Sequence, residues 1–207
     1  MRSLHTIAFS AVMAVSAMVA TNVAVAQEAE PQAPIASSAF GAFERGDGIL
    51  SLSLGTSVPL GFYNPNSSAF EGPNSDAGFS FSLSYTGFLS ERWGLAGDLS
   101  GDFIRTVNDD QLFIAPIALR AVMAFPVGAF AIAPSAGLGV AISSLGSYKH
   151  VDPLFKAGGT FLWKASSDMS YGLNLYANVI PQIMTEYPEN TRVGFFLDAT
   201  LSVAYHL

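Results

Sequence analysis

From residue 48 onward, apolar positions recur every second residue in eight segments separated by turn-forming residues. A period of two belongs to extended strands, whose side chains point alternately to opposite faces. The pattern is clearest over 77–87, where Phe79, Phe81, Leu83 and Tyr85 alternate with Ser80, Ser82, Ser84 and Thr86. It also runs over 48–58 (Leu50, Leu52 and Leu54 against Ser51, Ser53 and Gly55) and over 93–104, where Trp93, Leu95, Leu99 and Phe103 oppose Ala96, Asp98, Ser100 and Asp102. Segments 153–164 and 169–180 continue it. In the closing stretch, 193–207, Phe195, Leu197, Leu201, Val203, Tyr205 and Leu207 form an apolar row opposite Asp198 and Thr200. Segment 111–123 is largely apolar on both faces, but Arg120 places Ile114, Pro116, Ala118 and Val122 on the polar side, and 128–142 sets Phe130, Ile132, Leu138, Val140 and Ile142 against Ala, Ser and Gly. Their length, the glycines of 128–142, and Pro116 and Pro134 speak against helices, although each proline removes a ladder donor.

Segments of about ten residues suit tilted membrane strands. The connections 88–92, 124–127 and 165–168 are tight, whereas 59–76, 105–110, 143–152 and 181–192 are mostly longer. Outer-membrane barrels combine short periplasmic turns with long external loops and have both termini inside. The expected fold is therefore all-β: an eight-stranded antiparallel up-and-down transmembrane β-barrel over 48–207. In it the last strand pairs with the first and removes both sheet edges.

Charged residues make up 12% of the chain and apolar ones 50%, against roughly 25% charge in soluble domains. After Ala26 there is no run of about 18 apolar residues, so any crossing is by strands. Residues 1–26 read as a cleaved signal peptide: Arg2 and His5 precede an apolar run, and Ala24-Val25-Ala26 fits the cleavage pattern, which directs export. Residues 27–47, rich in Pro, Ala, Gln and Glu, read as a flexible periplasmic lead-in with a short helical turn around 38–43. The formal charge of −7 gives no electrostatic case for binding nucleic acid. The lack of cysteine excludes disulfides and thiolate metal sites. A soluble periplasmic ligand-binding barrel is an alternative, but its outer face needs Lys and Glu. The polar faces here are mostly Ser, Gly, Ala, Thr and Asn.

Asp98, Asp102, Arg120, Lys156 and Asp198 lie on those polar faces and are expected to point inward as a lumen network, since a charge at membrane depth needs a partner. A proton or ion path through them is the sharper reading; against it, an eight-stranded barrel is just wide enough for its own side chains. Trp93, Trp163, Tyr171 and Tyr205 are expected at the periplasmic rim, and Phe103 and Phe155 at the outer rim, as aromatic girdles. Beyond residue 26 the only histidines are His150 and His206, with no Ser/His/acid motif and no metal-ligand cluster. No enzymatic activity, cofactor or metal is expected. Asp109, Asp110, Glu186 and Glu189 read as solvated loop charge.

Signal segment, eight alternating strands, alternating loop lengths and a terminal strand signal together resemble the small eight-stranded outer-membrane β-barrel family, the group of OmpX, the OmpA membrane domain and OmpW. The resemblance covers 48–207 and is one of architecture. It implies residence in the bacterial outer membrane, contact with its lipid and lipopolysaccharide, and insertion by the barrel-insertion machinery through an assembly signal at Tyr205 and Leu207. Leu207 departs from the family's usual terminal Phe or Trp. It further implies a structural or surface-interaction, adhesin-like role, with an extracellular partner reached through the loops. An OmpW-like narrow channel for small apolar solutes is the alternative, kept open by the apolar inward residues Ile114, Pro116 and Ala118.

Overall fold

The computed structural model describes residues 39–106, 110–146, 148–183 and 191–207. The expected signal peptide, the first part of the lead-in, and Asp109, Glu186 and Glu189 lie outside the described residues. Among the described residues ten strands follow in order: β1 (Gly48–Asn64), β2 (Ala69–Glu71), β3 (Gly78–Phe88), β4 (Trp93–Arg105), β5 (Gln111–Met123), β6 (Phe125–Val127), β7 (Phe130–Leu145), β8 (Tyr148–Lys164), β9 (Met169–Gln182) and β10 (Arg192–His206). The eight long ones form one antiparallel sheet that closes on itself, because β1 pairs with β10 as well as with β3. β2 and β6 are short returns pairing with β1 and β7. Closure removes the unpaired edges that an open sheet would present.

The alternation sets which way each strand faces. Leu52, Leu83, Leu119, Leu138 and Leu173 are exposed on the outer surface, with Leu119 and Leu138 more than 60% accessible. Ser53, Ser80, Ser100, Arg120, Asn174 and Asp198 are buried inside. In water such an apolar belt would be an aggregation surface; in lipid it is the stable arrangement. The soluble-barrel alternative required the apolar faces inside, and the observed sidedness removes it.

Two local irregularities have sequence causes. Pro116 sits in the middle of β5, where it pairs with Ala141 of β7, while the β4–β5 pairing is interrupted between Leu99↔Ile117 and Asp102↔Ile114 and resumes in the same register. A proline cannot donate to a ladder, and the gap falls where its N–H is missing. The β1–β10 register slips between Pro59 and Gly61, and Gly61 has φ +146°, a conformation that favours glycine at a bulge.

Several strands outrun their expected lengths. β1 continues to Asn64, and β7 and β8 extend to Leu145 and Tyr148, so most of the expected 143–152 loop is hairpin, paired up to Leu145↔Tyr148. Alternating side chains within that hairpin carried the ladder further than turn chemistry suggested. The lead-in also differs from expectation. At 39–43 no helical turn forms, and Phe40 and Phe43 are buried in one end of the barrel, so 39–47 is packed against 48–207 instead of forming a flexible segment. The physical reason is the apolar pair itself. Phe43 stacks on Phe88 with centroids 3.9 Å apart, and the Phe40 N–H donates to the Gly128 carbonyl at 2.7 Å.

Candidate functional site

The lumen is the candidate site, and its contents change along the barrel axis. At the end where β1 begins and β10 finishes, called here the terminal end, Phe40, Phe43, Ile49, Phe88, Ala124, Ala131, Leu162 and Ala204 form an apolar layer. Gly48 and Leu207 exchange backbone hydrogen bonds there, at 3.2 and 2.8 Å, closing the last strand onto the first.

Beyond that layer lies the charged cluster. The Arg120 guanidinium donates to Asp98 in a two-pronged pair, Nε to Oδ2 at 2.5 Å and Nη2 to Oδ1 at 2.7 Å. Lys156 Nζ lies 3.4 Å from Asp98 Oδ2, so one carboxylate serves two cations. Strand pairing delivers these groups: Asp98 faces Ala118, two residues before Arg120, and Gly137 of β7 lies between Arg120 and Lys156 in register. A Cβ on Gly137 would fall 2.6 Å from the Arg120 Cα, so this close approach needs glycine. Arg120 Nη1 also donates to the Tyr176 hydroxyl at 2.9 Å and to Ser135. Its Cζ lies 4.6 Å from the Tyr176 ring centre, and Lys156 Nζ lies 5.0 Å from it. The network continues through Thr160 to Asn174, which donates to Ser53 and Thr200. A cavity of about 50 Å³ separates this cluster from Phe43.

The five residues expected as one network therefore fall into three settings. Asp98, Arg120 and Lys156 form the cluster. Asp198 is held separately by Ser57 at 2.7 Å and by the Asn178 amide at 2.5 Å. Asp102 faces Ser80 in register, only 2% exposed, and its Oδ1 has no hydrogen-bond partner among the described residues. Tyr176, at the centre of the cluster, was not singled out from sequence. The available signal was its place on the polar side of β9, between Asn174 and Asn178.

Further along, Ile104, Ile114, Ala118, Ala141, Leu154, Ile180 and Phe196 form a second apolar layer. Above it the far mouth holds a cavity of about 320 Å³ walled by Phe62, Leu112, Ile114, Ile180 and Phe196, with Asn74, Ser143, His150 and Gln182 among its polar neighbours.

The aromatic expectations can be placed residue by residue. Trp93 opens β4, Trp163 pairs with Tyr171, and Tyr205 pairs with Leu50 and Met169, all exposed and close to the terminal end. Phe103 lies near the far end with Phe113 at 4.8 Å. Phe155 is the eighth of the seventeen residues of β8, midway along the strand and away from either rim, because β8 starts earlier than expected. Tyr85 was not assigned from sequence. It lies at the level of Leu50, and its ring covers the space a Cβ on Gly48 would need.

One pairing was not anticipated: Ser170 Oγ and His206 Nε2 lie 2.7 Å apart. Ser170 is fully buried and Phe40 packs against the His206 ring at 5.7 Å, so the hydroxyl has no approach for a substrate. This is a satisfied structural contact between β9 and β10.

A closed eight-stranded antiparallel barrel with an apolar outer belt and charged side chains enclosed in its lumen has the architecture of a transmembrane β-barrel. A protein-family model matches residues 28–205, and the chain belongs to that family. In fold it is similar to the crystal structure of Neisserial surface protein A, with a TM-score of 0.57 and 13% identity over 77% of this chain and 96% of that one. The crystal structure of OprG from Pseudomonas aeruginosa aligns over 79% of this chain and 97% of that one, at 13% identity and a TM-score of 0.48. An uncharacterized protein of Treponema pallidum (strain Nichols) is 26% identical over 129 residues, 62% of this chain and 58% of that protein. The chain thus spans less than two thirds of that relative's length.

Proposed function

We propose that this protein is a non-enzymatic barrel of the bacterial outer membrane with a sealed body, supporting the envelope while its far-end hairpins serve as a surface for interaction. The observation that carries this reading is the occluded lumen: an apolar layer towards each end and the Asp98–Arg120–Lys156 cluster between them. Side chains that fill a barrel of this width leave no aqueous path. In this reading the terminal end is periplasmic, the far end is external, and the outer belt contacts lipid and lipopolysaccharide. Tyr205 and Leu207 serve as the signal read during insertion, and Ser170 and His206 do no chemistry.

Single-channel recording on the protein reconstituted in planar bilayers tests it directly. Silence is the expected result, together with unchanged swelling of proteoliposomes in small solutes. Discrete openings would replace the sealed reading with the runner-up, a narrow path for small apolar solutes. That alternative is favoured by the apolar walls of the far-mouth cavity, and the charged cluster beneath it opposes passage.

A further inference from the structure

The charges enclosed in the lumen do not balance. Between the two apolar layers lie the buried side chains of Asp98, Asp102 and Asp198 against those of Arg120 and Lys156, which leaves one negative charge without a counterpart. Both cations are committed to Asp98: Arg120 grips it with two prongs, and Lys156 lies 3.4 Å from it. Neither Asp102 nor Asp198 takes part in an ion pair among the described residues. A charge enclosed at membrane depth is costly unless it is paired.

The unpaired oxygens meet at one level. Ile104, Ile180 and Phe196 pack together in the second apolar layer, and Asp102, Asn178 and Asp198 each stand two residues from one of them, on the same face and on the terminal side. Asp102 and Asp198 are close enough for their charges to repel. The Asn178 amide nitrogen is fixed on Asp198 at 2.5 Å, while its carbonyl oxygen, in a side chain only 2% exposed, has no hydrogen-bond partner. Asp102 Oδ1 is the second buried oxygen at this level without one. Two orphaned acceptors beside a carboxylate held only by neutral donors form an all-oxygen set that lacks its cation.

We propose that Asp102, Asn178 and Asp198 form a lumen site for one small monovalent cation, with sodium as the fitting ion. Charge selects the valence, since a single positive charge neutralises the enclosed set. Oxygen donors select a hard ion. Size follows from enclosure, because both orphaned oxygens are closed to water and a dehydrated ion smaller than water is what such a set can surround.

The full chain refolded in radioactive sodium into lipid nanodiscs, which enclose no aqueous volume, tests the site. About one sodium ion per chain is expected to survive desalting, as the charge count requires. At fixed ionic strength, exchanging N-methylglucamine for sodium should lower the apparent unfolding constant by up to about tenfold per tenfold rise in sodium. Asp102→Asn should abolish both effects, and Asp198→Asn carries the same prediction if the first variant does not refold. Ser135→Ala, which touches only the neighbouring Arg120, should keep them. Unfolding indifferent to sodium, undiminished retention by both Asn variants, or tighter binding of potassium or calcium would overturn the proposal. So would stability that follows pH alone, which would assign the missing charge to a proton. A conducting barrel would lose the ion on desalting yet keep the sodium dependence of unfolding, so this site and the sealed reading fail separately.

Discussion

Asp98 is the residue on which the lumen charges converge. It accepts both prongs of the Arg120 guanidinium and is approached by Lys156, all three side chains being nearly inaccessible. Buried ion pairs repay their desolvation only when the geometry is good, and removing one partner strands the other. Asp98→Asn is therefore expected to destabilise the barrel by about 3–5 kcal/mol, measured as a lower denaturant midpoint in lipid. The triple replacement Asp98→Leu, Arg120→Met and Lys156→Met should recover much of that loss, since it removes all three charges of the cluster. The outer face obeys a different rule. Ile117 is the central residue of β5 and faces lipid, so Ile117→Arg should cost about 2–4 kcal/mol by the same measurement. The inward direction of Asp98 and Arg120 was legible in the sequence, because alternation fixes sidedness. Their partnership with Tyr176 was not, since it depends on how far β9 is displaced around the barrel relative to β5, a quantity of closure and register.

At the scale of elements, the stretch before β1 and the β7–β8 hairpin take roles that differ from their appearance in the sequence. The stretch before β1 carries two aromatics among Pro, Ala and Ser, a composition that reads as a linker. Phe43 nevertheless stacks on Phe88, and Phe40 packs against His206. Isolated aromatics give no period, so nothing in the pattern marked them as a plug. Phe43→Ala should cost about 3–5 kcal/mol, in the range for deleting a buried aromatic, and should speed hydrogen exchange at the Phe40 amide. β10 was fully legible because its alternation is unbroken, and it is the strand that closes the barrel. Tyr205→Asp and Leu207→Asp are expected to lower the folded fraction in the membrane before affecting any other property, read as loss of heat-modifiable migration. Normal insertion of both variants would sink the assembly-signal reading. The β7–β8 hairpin was underestimated because Ser143, Ser144 and Gly146 look like a loop. In the fold, Ser143 and Ser144 pair with His150 and Lys149, and the turn is confined to the region of Gly146, whose φ is +57°.

For the molecule as a whole, the decisive property is the inversion of sidedness relative to a water-soluble protein. The exposed surface carries Leu, Phe, Trp and Tyr side chains in a continuous belt, while Asp98, Asp102, Arg120, Lys156 and Asp198 are enclosed. Released into water, the belt would present far more contiguous apolar area than a soluble monomer tolerates. Detergent-free extraction by salt or alkali is therefore expected to leave the protein in the membrane pellet, with solubilisation only in detergent. On an unheated gel the closed β1–β10 seam should hold the barrel compact, so that it migrates ahead of the boiled chain. The two observations separate two physical causes: pelleting depends on the outer belt, and heat-modifiable migration on closure of the sheet. An aqueous-phase protein that still shifted on heating would retain the barrel and refute its membrane setting. A pelleted protein with no shift would place the error in the pairing of the last strand with the first.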